Sequence, residues 1–121
     1  MRKTIFTIAT YFIAVTIASS EPITVSEALK IKENASANIF AARAEWNALT
    51  FYLQGLVEGA ASYQEILINN GKKTLFCPPK GKSYSLEELF ENLERSKQDH
   101  GNHRAATVIM EAYAKEYPCK K

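Results

Sequence analysis

The chain is poor in the residues that usually build reactive sites. Two cysteines, two histidines, one tryptophan and five glycines are spread over 121 residues. It has no glycine-rich phosphate loop, no hydrolase serine elbow and no zinc-ribbon cysteine spacing, so the common signatures of nucleotide, ester and structural-zinc chemistry are missing. No unit recurs at solenoid or propeller spacing, and no tract has low complexity. No segment carries the two-residue alternation of a half-buried strand. Long hydrophobic runs are lacking too. The uncharged stretch Thr4 to Ile17 holds 14 residues, short of the roughly 20 that span a bilayer as a helix.

That stretch has another meaning. Arg2 and Lys3 precede it, Ala18-Ser19-Ser20 follows, and Glu21-Pro22 opens a polar region. A basic start, an apolar middle and small residues before a cut form the layout of a secretory signal peptide, here residues 1–20. An uncleaved membrane anchor is the alternative. No cysteine lies beside the expected cut after Ser20, so nothing points to a lipid-anchored product. Arg2 and Lys3 belong to the 15 basic residues, and the leader holds none of the 13 acidic ones, so residues 21–121 balance at 13 of each sign. A balanced surface has no field of one sign to gather nucleic acid or anionic lipid.

What is present is helical spacing. Thr24-Val25-Ser26-Glu27 fits a capping box, in which hydroxyl and carboxylate satisfy each other's backbone donors. It predicts a short helix to about Glu33. The triplet Asn34-Ala35-Ser36 matches an N-glycosylation acceptor and is read as a helix break. From about Ala37 to Ile68, Ile39, Trp46, Leu49, Leu53, Leu56, Val57, Ala60 and Tyr63 recur at three- and four-residue steps. That is the apolar face of a central helix, with Phe40, Phe51 and Tyr52 expected to widen it. Gly55 and Gly59 leave a bare patch with Ala60, Ala61 and Ser62. Close packing by another helix is expected there, within the domain or across a dimer, and a kink is the competing reading.

Asn69-Asn70-Gly71 should end that helix with residues that tolerate the left-handed region. Pro78-Pro79 forbids helix, and the next segment to Tyr84 is expected as loop. Ser85-Leu86-Glu87-Glu88 is a second capping box, opening a helix to about Lys97 with Leu86, Leu89, Phe90 and Leu93 inward. A polar turn around Gly101 follows. A last helix is expected from about His103 to Tyr117, with Ala105, Val108, Ile109, Ala112 and Tyr113 inward and Pro118 as its stop. The fold class is therefore all-α, a compact bundle of about four helices over residues 21–121.

Both cysteines lie in the exported part, where disulfides persist. Cys77 and Cys119 are expected to bond and staple the segment before the third helix to the end of the fourth. A cysteine nucleophile beside His100 or His103 is the enzymatic alternative, and a bonded cysteine cannot attack. Asp99, His100 and His103 could offer metal ligands, but they sit at a polar turn without a partner pair elsewhere. Glu87, Glu88 and Glu91 suit the first turn and outer face of a capped helix. No catalytic residue, cofactor or metal is assigned. The loops Asn69 to Lys73 and Lys97 to His103 are expected as polar, flexible recognition loops, with Asn70, Lys72, Lys73, Asp99, His100 and His103 as partner-binding residues.

Several pieces together resemble a known family. They are Tyr52-Leu53-Gln54-Gly55-Leu56-Val57-Glu58-Gly59-Ala60-Ala61, then Phe76-Cys77-Pro78-Pro79, the helices at Ser85 to Leu93 and Ala105 to Tyr113, and the closing Tyr117-Pro118-Cys119. In order, and behind a signal peptide, they resemble the Rap/Tai family of type VI secretion immunity proteins. The resemblance covers about Trp46 to Cys119. It implies a periplasmic, non-enzymatic protein, often a homodimer, that binds a secreted peptidoglycan amidase and blocks its cleft with a protruding loop. It also implies that Cys77 and Cys119 form the family's disulfide. The segment Ser96 to Arg104 departs from the pattern, being rich in Lys, Asp and His and lacking the family's proline. Residues that dock into one partner should be individual. A small periplasmic acid-stress chaperone is the alternative function, because such proteins are also helical and disulfide-linked. It would expose apolar surface when its carboxylates are protonated.

Overall fold

A computed structural model describes residues 21–37 and 39–120; the signal peptide expected at residues 1–20 lies outside them. The order is α1 (Val25–Asn34), α2 (Phe40–Asn69), α3 (Leu86–His100) and α4 (Ala105–Glu116). The protein is all-α, four packed helices with one disulfide joining Cys77 to Cys119. Among the described residues the extended pairing is a single isolated bridge between Thr24 and Arg104.

α1 starts where its sequence directs. Thr24 Oγ1 accepts from the Glu27 amide, and the Glu27 carboxylate accepts from the Thr24 amide at 2.8 Å. The Thr24 amide, and after it the Thr24 hydroxyl at 2.9 Å, donate to the Glu27 carboxylate and hold it below the usual carboxylate range. The second box forms only by half. Ser85 accepts from the Glu88 amide, but the Glu88 carboxylate turns away to Lys82, 3.1 Å off. The ion pair competes for the carboxylate that would have capped Ser85.

The core is built from one stripe of each helix. Val25, Ala28 and Leu29 of α1 meet Leu49, Leu53 and Val57 of α2, Leu89, Phe90 and Leu93 of α3, and Ala105, Val108, Ile109 and Tyr113 of α4. Phe76, from the connection, is buried with them. Trp46 stacks on Phe90 with ring centroids 5.2 Å apart. Full burial of one such aliphatic or aromatic side chain stabilises by about 1.5–3 kcal/mol. Leu56, Ala60, Leu86 and Ala112 of the expected inward set lie half-buried at the margin.

The expected breadth of the α2 stripe is corrected. Ile39, Phe40, Phe51, Tyr52 and Tyr63 are exposed, Phe40 at 88% and Phe51 at 73%. α1 and α3 contact one side of α2, and a helix that long has a second side with nothing in the described chain to cover it. Gly55 and Gly59 lie there as well. A Cβ at either would meet no atom within 4 Å, so among the described residues no helix packs on them. Neither is a helix break, because α2 is continuous from Phe40 to Asn69.

Among the described residues no helix is long and apolar enough to cross a membrane.

Candidate functional site

The end of α2 is the most defined exposed feature. Gly71 has φ +64°, a backbone conformation that glycine adopts without penalty. The Lys72 amide donates to the Leu67 carbonyl at 2.8 Å and the Gly71 amide to the Ile68 carbonyl at 3.0 Å. That pair of bonds is a Schellman motif, which satisfies the last carbonyls of a helix. Asn70 Nδ2 donates to the Ile66 carbonyl at 2.7 Å. Asn70, Lys72 and Lys73 are thus exposed on a turn whose backbone is fixed.

The chain beyond the turn is tied down again. The Leu75 amide donates to Oε1 of buried Gln64 at 3.1 Å. Thr74 Oγ1 lies 3.2 Å from Cys77 Sγ and 3.1 Å from Cys119 Sγ. The Cys77 amide donates to the Tyr117 carbonyl at 2.7 Å. The bonded cysteines, with Cα atoms 4.8 Å apart, join the base of this tip to the end of α4. Neither described sulfur is a free thiol. Ile68 and Leu75, both more than half exposed, put apolar surface beside Lys72 and Lys73.

A tyrosine cluster backs the staple. Lys82 Nζ lies 5.5 Å from the Tyr84 ring centroid and 5.7 Å from that of Tyr117. Its bonds to Glu88 and then Tyr117 raise the ammonium above the usual lysine range. Tyr113 is fully buried, and its hydroxyl finds no partner. Burial pushes its pKa well above the tyrosine range, with the Glu88 charge adding to the effect.

Asp99, His100 and His103 stand at the other end of the α3–α4 hairpin, so the two sets of expected partner-binding residues are not brought together. α3 continues to His100, which places Asp99 and His100 on its last turn instead of in a loop. The expectation of a flexible loop is corrected here. The Ser26 amide donates to the Gly101 carbonyl at 2.9 Å, and the Val25 amide to the His103 carbonyl at 3.0 Å. The turn thereby satisfies donors that the start of α1 would otherwise leave open. The Ala105 amide donates to Ile23 at 2.9 Å, which delays the start of α4 from the expected His103. A Cβ at Gly101 would sit 2.7 Å from Ser26 Oγ and 2.9 Å from the Lys97 carbonyl oxygen, so a larger residue there would displace the Ser26 side chain and crowd the end of α3. The His100 and His103 rings are 4.7 Å apart. Among the described residues no three His, Cys, Asp or Glu side chains group to hold a metal ion.

Sequence reasoning missed Gln64, Thr74 and Leu75. Gln64 is polar on an apolar face, the only available hint that a buried acceptor fixes the tip. Comparison with known families, characterised proteins and solved structures returns no match.

Proposed function

We propose that this chain is a periplasmic immunity protein that binds a type VI secreted peptidoglycan amidase and blocks its cleft through the Asn69–Leu75 tip. The observation that carries the proposal is the union of exposure and fixation at that tip. Asn70, Lys72, Lys73 and Leu75 face solvent, while the Schellman bonds, Gln64 and Thr74 against the disulfide hold the backbone. A loop ordered before binding loses little freedom on docking, so more of its contact energy becomes affinity. Lys72 and Lys73 supply charge for orientation, and Ile68 and Leu75 supply apolar contact.

The periplasm suits the same parts. The leader directs export, and a disulfide at the base of the tip persists in an oxidising compartment. The resemblance of its ordered motifs to the Rap/Tai pattern supplies the partner class of this proposal. The tip acts by steric exclusion, with no covalent step and no cofactor.

Protection of living cells tests the proposal. Bacteria making a type VI secreted peptidoglycan amidase in their periplasm should lyse, and co-expression of the exported chain should prevent it. A chain lacking residues 1–20, and so kept in the cytosol, should not protect. Lysis unchanged by the exported chain would refute the function.

A further inference from the structure

A groove of about 510 Å³ runs between α3 and α4, within the roughly 300–1,000 Å³ of small-molecule sites. Val108 and Ala112 give it small apolar surface, and Asn92 lines it from α3. Asn92 is only 3% exposed. Its Oδ1 accepts from the Arg95 guanidinium, but its Nδ2 is buried with no acceptor. Native chains seldom keep a buried donor unpaired without a reason. An acceptor entering the groove would supply one. The Arg95 side chain that lies on Asn92 is exposed, so it can swing aside and let that acceptor reach both groups.

The charges of the groove narrow what the acceptor belongs to. α3 brings Arg95 and the His100 ring, and α4 brings Glu111, Lys115 and Glu116. With histidine neutral, cations and carboxylates balance, and the α4 wall is acidic by one charge. These groups do not neutralise one another. Among the described residues the ion pairs are Lys32–Glu94 and Lys82–Glu88, so neither Arg95 nor Lys115 pairs with Glu111 or Glu116. The groove holds its opposite charges apart. A phosphate would meet two carboxylates there, and a simple cation would meet Arg95 and Lys115. A molecule with a carboxylate at one end and an ammonium at the other suits both walls. We infer that the groove binds a short peptide, a di- or tripeptide with both ends free. Its C-terminal carboxylate accepts from Asn92 Nδ2 and the Arg95 guanidinium, and its N-terminal ammonium donates to Glu111 and Glu116. Such charge-assisted bonds are the strong ones, and Val108 and Ala112 leave room for small side chains between them. The groove shares no residue with the Asn69–Leu75 tip, so the site stands whether or not the tip blocks an amidase.

Nuclear magnetic resonance of the nitrogen-15-labelled chain lacking residues 1–20 tests this, with the dipeptide alanyl-alanine as probe. The side-chain amide signals of Asn92 should shift and saturate, with a Kd of about 1 mM or tighter. The N-acetylated dipeptide lacks the ammonium and the C-terminal amide lacks the carboxylate. Each should bind at least about tenfold more weakly. Arg95 and Glu111 are exposed, so Arg95→Gln and Glu111→Gln should melt like the parent. Each should weaken the free dipeptide by about tenfold, and Glu111→Gln should not weaken the N-acetylated form further. Inorganic phosphate should not displace the dipeptide. An Asn92 amide that the dipeptide leaves unmoved overturns the inference, since water alone would then satisfy that donor. Equal binding of the blocked dipeptides, parent-like binding by both variants, or displacement by phosphate also overturns it.

Discussion

Replacing Cys77 and Cys119 together with alanine opens a loop whose ends are 42 residues apart in sequence. In the chain-entropy account, closing a loop of that length stabilises by about 4 kcal/mol. The comparison is large, since a domain of this size has a net stability on the order of 5–15 kcal/mol. The loss should not be recovered locally. Thr74 would no longer sit on a joined pair of sulfurs, and the chain after Tyr117 would keep only the bond from Cys77 to the Tyr117 carbonyl. At a urea slope of about 2 kcal/mol per molar, the midpoint should fall by about 2 M. The melting temperature should drop by roughly 15–30 °C. Circular dichroism through urea, with and without reductant, measures both. The reduced parent and the alanine variant should unfold together, well below the oxidised parent. An alanine variant within about 1 kcal/mol of the oxidised parent would refute the role given to the staple.

Leu53→Ala should cost about 2–5 kcal/mol in urea unfolding, because Leu53 is fully buried where α2 meets the core. Thr24→Ala should cost about 1 kcal/mol, read the same way, by removing the acceptor for the Glu27 amide. Tyr113→Phe should be close to neutral at pH 7, since the buried hydroxyl it removes has no partner. Above about pH 10 the same substitution should stabilise relative to the parent. Tyr113 ionises later when folded than when unfolded, so its contribution is present below the unfolded value and lost as pH rises past it. Unfolding midpoints from pH 8 to 11 for both proteins check this, and parallel curves would contradict it.

The helices were legible because their signals are local. The Thr24–Glu27 box, the Asn70-Gly71 stop and Pro118 act through neighbours in sequence, and the ends of α1 and α2 fall within a few residues of their expected places. What periodicity could not decide was which apolar residues find a partner. Leu53 and Phe51 are both apolar and two residues apart, but only Leu53 is buried in the core. Burial of the second side of α2 depends on a surface outside the described chain. The α3–α4 turn misled for a related reason. Its Gly101 and polar residues read as a loose loop, but its carbonyls receive the Val25 and Ser26 amides, an arrangement visible only once α1 is docked. At the tip, Lys72 and Lys73 stood out in sequence, whereas the parts that fix them, Gln64 and Thr74, did not.

The most direct measurement is inhibition in solution. The chain lacking residues 1–20 is titrated into purified type VI secreted peptidoglycan amidases, with cleavage of peptidoglycan stem peptides followed for each. Cleavage should fall to zero at one chain per enzyme. Lys72→Glu with Lys73→Glu should restore it by at least about tenfold in apparent affinity while melting like the parent. Full cleavage in the presence of excess parent chain would contradict the proposed function, and equal inhibition by the tip variant would contradict the role given to the tip.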